Sequence, residues 1–154
     1  MMNRSIVIEV RGEPVGKGSV RVEKFANRIP TKSREWMELV RNRAQLVAPS
    51  ELIACPVRVG VEARMLPAKT MPKWKRRAAL AGVIRPGKKP DIDNIMKGVA
   101  DSLSGVIWRD DAQVVRANLE KVYSETPGIT VTVTPLPEPT SAAEWKAWHQ
   151  ESLA

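Results

Sequence analysis

One cysteine and one histidine are all that this chain of 154 residues has of the softer metal ligands. A single cysteine, Cys55, excludes an intrachain disulfide and a thiolate zinc site, and its default role is that of a small core side chain. Such sparing use of cysteine fits a reducing compartment, so a cytoplasmic location is expected. The lone histidine, His149, lies in the C-terminal tail, where a solvated role is the ordinary one, and neither an imidazole base nor a histidine zinc site is expected. Long apolar runs are missing too. None approaches the roughly 20 residues that span a bilayer, and the start Met-Met-Asn-Arg-Ser-Ile lacks the apolar stretch and cleavage site of a secretory signal. No membrane partner is therefore expected. Internal repeats and long low-complexity segments are absent as well.

What is present is a domain-sized chain with 43% hydrophobic residues, enough to build a core. Its formal net charge is +8 and its pI about 10.0, which favours nucleic acid or another polyanion as partner. The charge is uneven. Between Arg64 and Pro90 the basic residues Arg64, Lys69, Lys73, Lys75, Arg76, Arg77, Arg85, Lys88 and Lys89 occur without one acidic residue. A run of this kind is either a solvated helix face with a loop or a phosphate track whose binding falls steeply with salt. Because it leads straight into a knot of aspartates, the track is the favoured reading, with all of the run except Arg64 assigned to DNA.

The pattern predicts an α+β fold in a single domain, a mixed β-sheet of about four strands with helices packed on it, plus a short C-terminal tail helix. Ser5 to Val10 reads as a strand, followed by a loop or irregular hairpin from Gly12 to Arg21. Thr31 or Ser33 caps a helix to about Val47, with Trp36, Leu39, Val40, Ala44 and Val47 on one stripe. Val57 to Met65 alternates as a half-buried strand. Pro72 suits the first turn of a basic helix to about Leu80, and a Gly/Pro/Lys loop follows to Pro90. Asp93 or Asn94 opens a helix to about Ser104, ended by Gly105. Val106 to Trp108 reads as a brief strand. Val114 to Tyr123 is a longer one, with Val115, Ala117 and Leu119 on one face, and Ile129 to Val133 is the last. The expected domain covers residues 1–134. Residues 135–154 form a proline-containing linker and a tail helix in which Ser141 and Glu144 have capping-box spacing.

The chemistry concentrates in residues 89–111, where Asp91, Asp93, Asp110 and Asp111 surround Lys97. Carboxylates this dense would repel a polyanion unless a divalent cation lay between them. Hard oxygen ligands suit Mg2+, which keeps several waters and is commonly shared with substrate phosphates, and Mn2+ can stand in for it. If the chain stays extended from Pro90 to Asp93, Asp91 and Asp93 project to one side. Lys97 and Asp101 then follow Asp93 at one-turn intervals on one helix face. Asp110 and Asp111 are adjacent, so in an extended segment only one of them can point at the same centre. A purely structural account also fits: an N-cap aspartate, an Asp93–Lys97 ion pair and a turn-forming Asp-Asp.

The run Lys-Pro-Asp-Ile-Asp-Asn-Ile-Met-Lys-Gly-Val-Ala-Asp-Ser-Leu-Ser-Gly-Val-Ile-Trp-Arg-Asp-Asp-Ala-Gln-Val-Val resembles the RusA family of Holliday-junction resolvases. The family pattern is Pro-Asp-Leu-Asp-Asn, a lysine, Asp-Ala-Leu and then Asp-Asp-Xaa-Gln-Val. The likeness extends more loosely to Glu13-Pro14-Val15-Gly16-Lys17-Gly18, to the Val57–Met65 strand with its basic helix, and to Lys121-Val122-Tyr123. It spans most of residues 5–133 and leaves out the tail. The resemblance implies a homodimeric, magnesium-dependent endodeoxyribonuclease that resolves four-way junctions by paired nicks in recombination and repair. Carried over by position, the metal ligands are Asp91, Asp93 and Asp111, and the catalytic lysine is Lys97. Asp110 stands as a possible further ligand. Asp101 takes the aspartate of Asp-Ala-Leu, here Asp-Ser-Leu, in which serine replaces alanine. Two copies of one site match the near two-fold symmetry of a junction, and Trp36, Trp74, Trp145 and Trp148 are candidates for the dimer surface, Trp36 being the better candidate for the core. Two other readings stay open: a nuclease for other branched DNA, such as prophage or phage intermediates and flaps, and a non-catalytic basic DNA-binding module.

Overall fold

The computed structural model describes residues 4–18, 21–23, 26–28 and 31–153, with the backbone alone for 21–23, 26–28, 152 and 153. Four strands, β1 (Ile6–Arg11), β4 (Val57–Met65), β5 (Val114–Tyr123) and β6 (Gly128–Pro135), form a mixed sheet in the order β1-β6-β4-β5. Only β4 and β5 run parallel; β6 is antiparallel to both of its neighbours. A short ladder pairs β2 (Arg21–Glu23) with β3 (Ala26–Arg28). The helices are α1 (Thr31–Gln45), α2 (Lys73–Leu80), α3 (Ile92–Leu103) and α4 (Ala142–Leu153). Among the described residues, no helix is long and apolar enough to cross a membrane.

The alternation in β4 produces the core. Val57, Val59, Val61, Ala63 and Met65 are buried, and the residues between them are half-buried or exposed on the other face. Ile129, Val131 and Val133 of β6 and Ile8 and Val10 of β1 lie on the same side. Against them pack Trp36, Val40 and Ala44 of α1 and Ile95, Val99 and Leu103 of α3. Both helices therefore cover one face of the sheet, and among the described residues no helix of the core covers the other.

The structure departs from the sequence reading where tertiary contacts overrule local signals. Thr31 and Ser33 lie inside α1, and the residue before the helix is outside the described residues. Ser33 is buried, and its hydroxyl donates to the Gly16 carbonyl at 2.9 Å while accepting from the Gly18 N–H at 3.1 Å. Its work is thus to hold the Gly12–Gly18 loop; positions 19 and 20 of the expected loop lie outside the described residues. Pro72 is the residue before α2, one position earlier than expected. Val106–Trp108 is a turn with isolated bridges from Trp108 to Ile53 and Ser104, because Gly105 at φ 79° reverses the chain directly after α3. In β5 the register shifts next to Val57, so Val114 packs on the core and Val115 bulges outward, 63% exposed. The expected stripe of Val115, Ala117 and Leu119 is broken there. The expected linker starts inside the sheet: β6 includes Pro135, and the Leu136 N–H donates to the Pro56 carbonyl at 2.8 Å. At α4 Ser141 accepts from the Glu144 N–H at 3.1 Å. Glu144 returns to Thr140 and not to Ser141, and bonds from the Thr140 N–H and hydroxyl hold its carboxyl below the ordinary carboxylate range.

The Glu13–Gly18 loop lies against the start of α3. The Lys17 N–H donates to the Asn94 carbonyl at 2.9 Å, and a Cβ on Gly16 would stand 2.9 Å from the Asn94 Cβ and 3.0 Å from the Pro90 Cβ. Gly16 is required for this close approach. Gly16→Ala is expected to cost roughly 1–3 kcal/mol, read as a lower Tm by circular dichroism. An unchanged Tm would mean that the loop stands off the helix.

Candidate functional site

Helix α3 begins at Ile92, one residue after Asp91, whose φ of −71° and ψ of 151° are extended. The extended segment expected to reach Asp93 therefore stops at Asp91, and strand alternation does not align the two carboxylates. The Lys89–Pro90 peptide just before is cis. Asp91 makes no capping bond and accepts from the Lys89 ammonium at 3.2 Å. Lys121 on β5 fixes this approach by donating to the Lys88 carbonyl at 2.6 Å and the Pro90 carbonyl at 3.1 Å.

Asp93 sits in the first turn of α3, with Lys97 and Asp101 one and two turns further on. No ion pair joins Asp93 to Lys97, and among the described residues neither makes a side-chain hydrogen bond. The structural account of Lys97 as an ordinary helix ion pair is thus not realised here. Asp101 belongs to the scaffold: its carboxylate pairs with Lys17, and its carbonyl accepts from Arg41 at 3.1 Å.

The adjacent aspartates open a short helical turn, η1 (Asp111–Gln113), with Asp110 as its N-cap and Asp111 as its first residue. Asp110 accepts from the Ala112 N–H at 2.9 Å through Oδ1, and its Oδ2 accepts nothing among the described residues. Asp111 accepts from the indole N–H of fully buried Trp108 at 2.9 Å through Oδ1, and Oδ2 accepts nothing among the described residues. Gln113 holds the turn in place. Its Oε1 accepts the Arg109 and Asp110 N–H groups at 2.9 and 2.8 Å, and its Nε2 donates to the Ile53 and Cys55 carbonyls at 2.7 and 2.9 Å. Spacing alone could not reveal Trp108, Lys17 or Lys121 as supports, because each bond joins parts of the chain brought together only by the fold. The glutamine of the Asp-Asp-Xaa-Gln pattern was visible as a residue, though not as a clamp.

Asp93, Lys97 and Asp111 line one cleft of about 340 Å³, whose remaining walls are apolar, among them Met96, Ala100, Trp108 and Val114. Asp91 does not line it. Among the described residues, no three carboxylate, imidazole or thiolate groups are close enough to enclose a metal ion by themselves. A larger cleft of about 550 Å³ lies over the other face of the sheet, away from all four of these residues. The smaller one is the candidate site, because charge is gathered there on an apolar floor. The donors fit a hard cation that keeps part of its water shell, and they do not fit a closed structural zinc centre.

The basic run is divided in its use. Lys69, Lys73, Lys75, Arg77, Arg85, Lys88 and Lys89 are exposed, and Arg76 is half-buried with a guanidinium nitrogen 4.0 Å from Glu125. Arg64 is engaged with Glu9 and Glu62 at 3.3 and 3.2 Å.

A cleft with two carboxylates and a lysine, in a chain that also exposes a basic run, suits a protein that cleaves phosphodiesters, and comparison with known proteins assigns the lineage. The sequence model described as Endodeoxyribonuclease RusA matches residues 11–134. The chain belongs to the RusA endodeoxyribonuclease family. It is also 38% identical over 134 residues to the uncharacterized protein YqaN of Bacillus subtilis (strain 168), a match covering 83% of this chain and 94% of that protein.

The Gln113 clamp carries a stability prediction. Gln113→Leu strips partners from four backbone groups and is expected to destabilise the fold by about 2–3 kcal/mol, measured by urea denaturation. A loss below about 0.5 kcal/mol would show that the turn holds without it.

Proposed function

We propose that this protein is a magnesium-dependent endonuclease that resolves four-way DNA junctions, acting as a cytoplasmic homodimer. The observation that carries the reading is the meeting of Asp93, Lys97 and Asp111 on one cleft, with Asp91 at the start of the same helix. Membership of an endodeoxyribonuclease family supports the reaction class, and the branched substrate follows from the resemblance of the whole Pro-Asp-Ile-Asp-Asn to Asp-Asp-Ala-Gln-Val run to junction resolvases.

In this reading Asp93 and Asp111 hold the cation from the cleft, and Asp91, which lies outside it, joins them by turning its carboxylate away from Lys89. When bound, magnesium makes a water nucleophilic at neutral pH and neutralises charge on the non-bridging phosphate oxygens. Trp108 fixes the orientation of the Asp111 carboxylate through Oδ1, leaving Oδ2 for the site. Lys97, which has no carboxylate partner among the described residues, places its ammonium where negative charge develops on the phosphate. Asp110, which gives Oδ1 to the Ala112 N–H of its own turn, is not counted among the ligands in this reading. The exposed lysines and arginines from Lys69 to Lys89 guide the phosphate backbone toward the start of α3.

Asp91→Asn, Asp93→Asn and Asp111→Asn are each expected to abolish junction cleavage in Mg2+, as EDTA does to the parent protein, while junction binding in a gel-shift assay persists. Asp110→Asn should be milder. Lys97→Met should slow single-turnover cleavage by about 100-fold, equivalent to ~3 kcal/mol of lost transition-state stabilisation. Parent-like rates in two of the three asparagine variants would overturn the ligand set. A Lys97→Met rate within a few-fold of the parent would return the lysine to the helix surface.

A further inference from the structure

The five tryptophans of this chain serve different ends. Trp36 and Trp108 are buried in the core, whereas Trp74 on α2 is 69% exposed, more than any other of the five. Among the described residues its ring stacks on no other ring, and its indole N–H has no acceptor. An aromatic side chain can cover roughly 150–250 Å² when it is packed. At Trp74 most of that contact area is unused.

The helix explains why Trp74 points outward. Ala79 is buried, Ala78 is half-buried, and Arg76 is half-buried with its guanidinium near Glu125, just beyond β5. These positions turn α2 toward β5, on which it packs. Lys73, Trp74 and Arg77 fall on the opposite side, where Trp74 and Arg77 are neighbours at a three-residue spacing. Lys73, Lys75 and Arg77 are all exposed. The indole therefore stands among three cations, in a run from Arg64 to Pro90 that holds no acidic residue.

Phosphate is the group that such cations attract. The indole adds a flat apolar face. In an intact duplex the faces of the bases are covered by their neighbours, and one N–H donor is poor equipment for reading base edges. An unpaired base has a face free. Aromatic rings set in a cationic track are the usual means of holding single-stranded nucleic acid. The position also suits a strand that is to be cut. Lys121 of β5, the strand on which α2 packs, binds the Lys88 and Pro90 carbonyls, so the basic run leads from α2 to Asp91 at the start of α3.

We propose that Trp74 is a stacking platform for an unpaired DNA base whose flanking phosphates lie on Lys73, Lys75 and Arg77. Helix α2 then distinguishes opened DNA from an intact linear duplex. The stacking itself needs no cleavage, and only its placement at a branch rests on the preceding reading.

Fluorescence anisotropy with the full chain tests this, using labelled oligothymidylate, a four-way junction and a linear duplex in the presence of EDTA. The variants are Trp74→Ala, Trp74→Leu and Trp74→Phe, with circular dichroism melts to check folding. Trp74→Ala and Trp74→Leu are expected to weaken oligothymidylate binding about ten-fold or more, to weaken junction binding in the same direction, and to leave duplex affinity within about two-fold. Trp74→Phe keeps an aromatic face and should retain most of the parent affinity. As a contrast, Arg77→Gln should lower the salt slope by about one unit on all three DNAs, whereas the Trp74 variants should leave it unchanged. Should Trp74→Ala fail to fold, the comparison of Trp74→Leu with Trp74→Phe carries the test. A parent that leaves oligothymidylate unbound, variants that bind it as the parent does, or an equal loss on duplex would each overturn the proposal. So would full recovery by Trp74→Leu, which would make the contact apolar and not a stack. Junction cleavage by the parent in Mg2+, measured separately, reports on the enzymatic reading: its absence would sink that reading and leave the stacking result standing.

Discussion

The start of α3 is the constraint on which the site depends, and it is held from two sides. On one side the Lys121 ammonium draws the Lys88 and Pro90 carbonyls toward β5. On the other, the backbone of Gly16 and Lys17 lies against Pro90 and Asn94 at a distance that admits no Cβ. Ser33 ties that loop to α1, and Arg41 on the same helix binds the Asp101 and Ser102 carbonyls near the other end of α3. Where α3 begins determines where Asp93 and Lys97 stand. A site on a helix gripped along its length is more precisely placed than one on a loop.

The second half of the site has its own support. Asp111 comes from a turn beyond α3, and a buried indole and a glutamine amide hold that turn against the segment before β4. The two halves meet over an apolar floor. Asp93 and Lys97 are exposed there and Asp111 is half-buried, so the two carboxylates and the ammonium can be reached from solvent. In the proposed function the exposed basic run would add a long-range attraction for phosphate that weakens with salt.

Much of this was legible in the sequence, because it was written in periodicity. The alternation in Val57–Met65, the helical spacing of Ile95, Val99 and Leu103, and the stop at Gly105 all depend on neighbours a few residues away. The order of strands is not local, and neither is the bulge at Val115 that breaks the expected stripe. Ser33 fitted a cap by residue type, yet its hydroxyl faces a loop some fifteen positions back. The choice between Asp110 and Asp111 was open in an extended segment. The structure places a turn there, in which Asp110 Oδ1 accepts from its own backbone and Asp111 Oδ1 from Trp108. Strand register likewise brings Arg58 beside Arg116, a relation that no reading of one strand contains.

The central claim is that a divalent cation joins the aspartates of this cleft to the phosphate that is cut. Single-turnover cleavage of a junction carrying a stereodefined phosphorothioate at the scissile position, in Mg2+ and in Mn2+, tests it most directly. Sulfur is a poor ligand for Mg2+ and a better one for Mn2+. One diastereomer should be cut much more slowly than the oxygen substrate in Mg2+ and regain most of that loss in Mn2+. Equal sulfur effects in both metals for both diastereomers would contradict direct metal contact with the phosphate, and with it this account of the site.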